Sequence, residues 1–287
     1  MASARLEDGW SAAFGLGSKP LLYSRTYMER RHLLTGLAAA ALYSGRGEAA
    51  SSPVAYLETK VWRLHNTPEN QSVRVADYLE HGLGPALTRA GGRLAGAFAN
   101  VIGQDGPYYF TIAEYESFGA LGEVLAKLRV DKEFQDQENK LAAGPGLPFV
   151  RVESSILRCF DNKPQLTIPD KPEQRPSRIF ELRTYESQSF SALTRKVGMF
   201  NNGEMQIFER LGMRPIFFGE TLVGPRQPNV TYMLSYDSLA ARDELWHVFG
   251  SDPEWNKLSR QPELKDEQIV ANISNVILRP LSFSAIR

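Results

Sequence analysis

The chain repeats itself at an offset of roughly 120 residues, and that repetition limits its architecture more than any other feature. Gly82 recurs as Gly203, Gly92 as Gly212, and Phe98 as Phe218. Tyr115-Glu116 recurs as Tyr236-Asp237, Asp131-Lys132-Glu133-Phe134 as Asp252-Pro253-Glu254-Trp255, and Ile156-Leu157-Arg158 as Ile277-Leu278-Arg279. The copies open on Tyr56-Leu57-Glu58-Thr59-Lys60-Val61-Trp62 and Ile179-Phe180-Glu181-Leu182-Arg183-Thr184-Tyr185. Such a unit is far longer than a solenoid repeat of about 20–50 residues. Each copy is therefore a small domain in its own right.

Residues 54–160 form the expected first domain, 178–287 the second, and 161–177 the spacer between them. Pro164, Pro169, Pro172 and Pro176 fix φ and remove backbone donors, which keeps the spacer out of a central strand or helix. In the second copy, Arg178 to Tyr185 alternates apolar and polar residues as a strand does. A helical stripe follows through Phe190, Leu193, Val197, Met205 and Phe208, with Gly203 expected to break it because glycine costs about 1 kcal/mol in a helix interior. A hairpin spans 214–236, a second helix spans 239–249, and Asp252-Pro253 starts a short third one as N-cap and first-turn proline. The last strand is expected over 275–280. The order β-α-β-β-α-β is ferredoxin-like, and the first copy follows it with Gly82, Gly84 and Pro85 interrupting its first helix. An open sheet with helices on one face leaves the other face needing cover, which the second copy can supply.

Residues 1–50 read as a leader. Met28-Glu29-Arg30-Arg31 forms a charged head, an apolar stretch runs from Leu33 to about Tyr43, and small residues surround Ala49 and Ala50. This is the arrangement of a signal peptide, too short for a membrane span of about 20 residues. Adjacent Arg30 and Arg31 resemble the twin-arginine export class, with Leu33 where that class prefers Phe. The expectation is translation from Met28 and export, to the periplasm, of a chain beginning near Ala50. Without the leader, 27 basic residues stand against 29 acidic ones, so no basic surface is offered to nucleic acid. Cys159 is the sole cysteine, which rules out an intrachain disulfide and a Cys-rich metal site and suits a small apolar filler near a strand end.

Glu181-Leu182-Arg183-Thr184-Tyr185, the aromatic-rich hairpin, and Trp246-His247 followed by Ser251-Asp252-Pro253-Glu254-Trp255 resemble the NIPSNAP family of the dimeric α+β barrel superfamily. The resemblance covers nearly all of the second copy, and the first joins it through the repeat. It implies an α+β fold of two tandem ferredoxin-like domains whose sheets meet face to face as a barrel within one chain. The superfamily includes monooxygenases, haem-binding enzymes and isomerases, and NIPSNAP proteins have no agreed catalytic motif. Fold alone does not choose among these chemistries.

Alternation along a strand puts Ile179, Glu181, Arg183 and Tyr185 on one face and Phe180, Leu182 and Thr184 on the other. Assigning the more apolar set to the helices sends Glu181, Arg183 and Tyr185 into the barrel, where Tyr56, Glu58, Lys60 and Trp62 enter from the first copy. Trp255 is placed at the barrel mouth with Phe134 opposite. Two readings of these eight residues are open: a polar, aromatic-lined ligand pocket, or a charge network filling the interface between sheets. Buried carboxylates require cations nearby under either. No histidine pair has metal-ligand spacing, though a single histidine could act as a base or haem ligand. Gly82-Leu83-Gly84 lacks the remaining glycine of a dinucleotide loop, and no G-x-S-x-G or phosphate-binding lysine loop is present. No catalytic set, metal or cofactor is assigned. The expectation is a protein that binds a small apolar or amphipathic molecule, or a protein partner, with further pairing of the chain open. The alternative is a cofactor-independent oxygenase or haem-dependent enzyme using the barrel interior.

Overall fold

A computed structural model describes residues 54–65, 69–170 and 178–287. The leader and its twin arginines lie outside these residues, as do 171–177 of the spacer. In the first half, β1 (Tyr56–Arg63) leads to α1 (Gln71–Tyr78), a π-helical turn (Leu79–Leu83) and α2 (Gly84–Ala90). β2 (Arg93–Ile102), β3 (Tyr108–Tyr115), α3 (Phe118–Leu128), α4 (Lys132–Ala142) and β4 (Arg151–Cys159) follow. The second half repeats them as β5 (Ile179–Glu186), α5 (Phe190–Met199), a π-helical turn (Phe200–Glu204), α6 (Met205–Arg210), β6 (Arg214–Val223) and β7 (Asn229–Tyr236). It continues through α7 (Leu239–Ser251), α8 (Pro253–Ser259), a 3₁₀ turn (Pro262–Leu264), α9 (Asp266–Ile269) and β8 (Asn272–Pro280).

The helix starts are repeated at side-chain level. Ser117 and Ser238 cap α3 and α7 by accepting from Ala120 N and Ala241 N, and Asp131 and Asp252 cap α4 and α8 in the same way. Both interrupted first helices carry their break as a π turn at matching positions. In the second half, Asn202 and Gly203 leave helical geometry altogether. β4 begins at Arg151 and β8 at Asn272, the latter three residues before the expected 275. Of the opening residues, Glu153, Asn272 and Ser274 are polar and line an open barrel mouth.

All eight strands close into one antiparallel barrel in the order β1-β3-β2-β8-β5-β7-β6-β4. Each half supplies four neighbouring strands, and two seams, β2 with β8 and β4 with β6, join the halves. Register shifts at Leu94/Gly96 and Pro215/Phe217 are counterparts, as are those at Asn100/Ile102 and Val223/Thr221. Such bulges bend strands at barrel rims. No backbone edge is left unpaired around the ring, which removes the aggregation hazard of an open sheet.

One end of the barrel is solid. Leu57, Phe98, Phe180, Phe217, Met233 and Leu278 fill it and exclude water. Two segments cover this end. The C-terminal tail bonds to β2 through Leu281 N and Ile286 N, donating to Ala97 O and Ala95 O, and buries Ile286 completely. The first part of the spacer is pinned as well: Ala55 N donates to Pro164 O, Thr167 N donates to Ile216 O, and Leu166 packs on the core. Residues 161–170 are thus part of the barrel wall's underside rather than a free tether.

Candidate functional site at the open barrel mouth

The opposite end of the barrel holds a cavity of about 720 Å³. Val61, Phe110, Leu157, Leu182 and Val276 border its apolar floor where the solid core begins. Hydroxyl and amide groups of Thr184, Thr221, Asn229 and Thr231 form a polar wall on the second half's side. The rim is built from the two equivalent hairpin loops, each with a cis X-Pro bond (Gly106-Pro107 and Gln227-Pro228) and one non-glycine residue at positive φ (Asp105 and Arg226).

Glycine is required where these loops leave the strands. A Cβ on Gly224, whose φ is +151°, would sit 2.5 Å from Ser155 Oγ across one seam, and one on Gly103 would sit 2.8 Å from Val276 Cγ1 across the other. Charge is gathered at the rim. Arg63 donates to Asp105 O at 3.1 Å, pairs with Glu153 at 3.2 Å and lies 4.9 Å from the Tyr108 ring centre. Arg226 donates to Ser274 Oγ at 3.0 Å. Partial burial raises Glu153, but hydrogen bonds and charges from Arg151 and Arg63 leave it below the ordinary carboxylate range.

The eight side chains singled out from the sequence are somewhere else. Strand alternation correctly groups the seven on β1 and β5, but the face they share meets the helices, and the more apolar set faces the barrel. Glu181 is fully buried between sheet and helices, with five donors on its carboxylate. Oε1 accepts from Arg183 (2.7 Å), Arg242 (2.6 Å) and Asn275 (3.0 Å), and Oε2 accepts from Trp246 Nε1 (2.8 Å) and Tyr236 OH (3.4 Å). Burial pushes this carboxyl up; the Arg242 hydrogen bond, the Arg183 charge and the other donors outweigh it and hold Glu181 below its usual range. Arg183 stacks 4.3 Å over Trp246 and donates to Tyr185 OH, which also accepts from Tyr232 OH at 2.9 Å.

In the first half, Glu58 accepts from Tyr115 OH at 3.1 Å and pairs with Lys60 at 3.1 Å. Trp62 Nε1 donates to Thr111, and Tyr56 packs on Phe118 of α3. A void of about 10 Å³ beside Glu58 and Lys60 has room for about one water, not for a ligand. Trp255 packs 4.5 Å from Phe249 in the helix layer rather than at the mouth, and Phe134 lies against Tyr78 in the other half's helix layer. The reason for the inversion is tertiary. Helices α7 and α5 bring Arg242, Trp246 and Lys196 to satisfy this face, while the solid barrel end demands Leu57 and Phe180.

A second buried pair lies at the π turn of the second half. Lys196 Nζ is 2.8 Å from Glu204 Oε2, 4.4 Å from the Phe200 ring and 5.1 Å from that of Tyr185. Burial pushes Glu204 above its ordinary range despite the Lys196 charge. His65, His81 and His247 are exposed and none lines the cavity. Cys159, fully buried in the solid end, has its thiol pushed up to about 12 by burial. Among the described residues no cluster of three or more acidic, histidine or cysteine side chains could hold a metal, and no helix is long and apolar enough to cross a membrane. The cavity-lining threonines and Asn229 escaped notice in the sequence because short polar residues in strands carry no motif.

A closed antiparallel barrel of two β-α-β-β-α-β halves with helices outside defines the dimeric α+β barrel class, here within one chain. Residues 180–285 match the NIPSNAP family model, so the second half is a NIPSNAP domain. A protein from Lactobacillus acidophilus NCFM, provisionally named a monooxygenase, is similar over 79% of this chain and 94% of its own, at 14% identity and TM-score 0.52. A second provisionally named monooxygenase, from Fusobacterium nucleatum, is similar over 80% and 93% at 11% identity and TM-score 0.51. These two likenesses carry the fold alone. An uncharacterized NIPSNAP-like domain protein from Burkholderia xenovorans is 25% identical over 38% of this chain and 89% of its own, at TM-score 0.34. No curated protein matches the sequence.

Proposed function

We propose that this chain is an exported binding protein that carries a small apolar or amphipathic molecule in the open end of its barrel, without chemical turnover. The cavity carries this reading: about 720 Å³ falls within the ~300–1,000 Å³ of small-molecule sites. Its chemistry is also that of a binding site, with an apolar floor, a neutral polar wall and charge confined to the rim. Among the described residues no histidine, cysteine or lysine lines it. The charged network around Glu181 is a packed structural element in this reading, and the leader sequence supplies the export half.

Native mass spectrometry of protein taken from the periplasmic fraction of an exporting host tests both halves. The expected result is a retained small molecule that is lost when Val61→Trp and Leu182→Trp fill the cavity from facing walls. Glu58→Gln is expected to leave retention unchanged. Replacing Arg30 and Arg31 by lysine should hold the protein in the cytoplasm. Unchanged retention in the filled variant, or a Soret band from bound haem, would overturn the binding reading. Periplasmic recovery of the lysine variant would overturn the export reading.

A further inference from the structure

The hydrogen-bond chemistry of the polar wall narrows the ligand class. Asn229 is 1% exposed, and its Nδ2 donates to Pro225 O at 3.2 Å and Arg226 O at 3.0 Å. Carbonyl oxygens only accept, so these two contacts fix which end of the amide is nitrogen. Asn229 Oδ1 therefore faces the threonines and can only accept from them. Thr221 Oγ1 donates to it at 2.7 Å and Thr231 Oγ1 at 3.2 Å. A hydroxyl has one hydrogen. With Thr231's hydrogen spent on Asn229, its 3.0 Å contact with Thr184 must have Thr184 as donor.

Every hydroxyl hydrogen in this relay is thus turned into the protein, and Thr184, Thr221 and Thr231 retain only lone pairs for an occupant. We infer that the wall selects a ligand that donates a hydrogen bond, namely a neutral molecule with an apolar body and an alcohol or phenol group. An acceptor-only group set against this wall, such as an ether or ketone, would meet lone pairs with lone pairs and leave its own oxygen desolvated. An ammonium would donate too, but no carboxylate belongs to the relay to compensate a buried cation, and Glu153 and Glu186 stand toward the rim. The inference rests on the cavity being a binding site and adds the polarity of its occupant.

The full-length protein, titrated at pH 7 with 1-naphthol and with 1-methoxynaphthalene, tests this, the probes differing in whether oxygen carries a hydrogen. Naphthol is expected to bind about five- to tenfold more tightly, the worth of one hydrogen bond. The preference should fall to less than about twofold when Thr184, Thr221 and Thr231 are all changed to valine, which keeps shape but removes all three acceptors, and should persist in Thr184→Ser. Binding of both probes should be lost in the Val61→Trp, Leu182→Trp variant. Equal affinities in the native protein, or a preference that survives the valine changes, would overturn the donor selection while leaving the cavity reading intact. Absence of binding by either probe, or binding that survives the filled cavity, would overturn both.

Discussion

At the scale of single residues, burial decides which side chains can take part in chemistry and which are committed to structure. Glu181 has roughly as many donors as its carboxylate has lone-pair directions, so nothing is left for a ligand. Removing its charge in Glu181→Gln leaves Arg183 and Arg242 without their shared carboxylate. A cost of about 3–5 kcal/mol in unfolding free energy is expected, measured by urea denaturation at pH 7. The pH dependence has a definite sign. Because the folded carboxyl titrates below the ordinary glutamate value near 4.5, its contribution is fully present above that value and is lost as pH falls through the depressed one. The stability gap between native protein and variant should therefore narrow below about pH 4.5. A gap constant down to pH 3 would show that the charge of Glu181 is not what the arginines require.

At the scale of elements, the duplicated π turn shows how one backbone device accepts two chemistries. Lys196 and Glu204 are 1% and 2% exposed, and at the repeat offset the first half has Val75 and Leu83, both buried. The scaffold therefore already houses an apolar pair at the equivalent place. Lys196→Met alone leaves Glu204 as a buried carboxyl without its cation and is expected to cost about 3–5 kcal/mol. Lys196→Met with Glu204→Leu should return to within about 1–2 kcal/mol of the native protein. If the double variant were as unstable as the single one in the same denaturation measurement, the first half would be a poor guide to the second. The repeat was legible at this scale because landmark glycines, aspartate caps and aromatic residues recur. The ion pair was not, since Lys196 and Glu204 have no charged counterparts in the first copy.

At the scale of the molecule, each half is incomplete. Residues 178–287 alone would expose the edges of β6 and β8, and the apolar face formed by Phe180, Phe217, Met233 and Leu278. That half, expressed by itself, is expected to form a dimer by pairing its own β6 and β8 edges with those of a second copy, with light scattering reading twice the monomer mass. A folded, soluble monomer would show that the seams are dispensable. The described residues form a single compact unit, so the halves share one barrel core between them.

The sequence by itself determined the duplication, the element order, the grouping of side chains on strand faces and the need of each one-sided sheet for cover, which follow from backbone periodicity and burial. The closing of the two halves into a barrel was what the family resemblance implied. It did not determine which face of β1 and β5 meets the helices. Hydrophobic content suggested one answer, but the partners that satisfy Glu181 lie 61, 65 and 94 residues away on α7 and β8, where local patterning is blind. The open mouth was equally hidden. Whether a barrel end is solid depends on a C-terminal tail and a spacer folding beneath it, and on threonines whose hydrogens point away from the space they enclose. Only the tertiary structure brings those groups together.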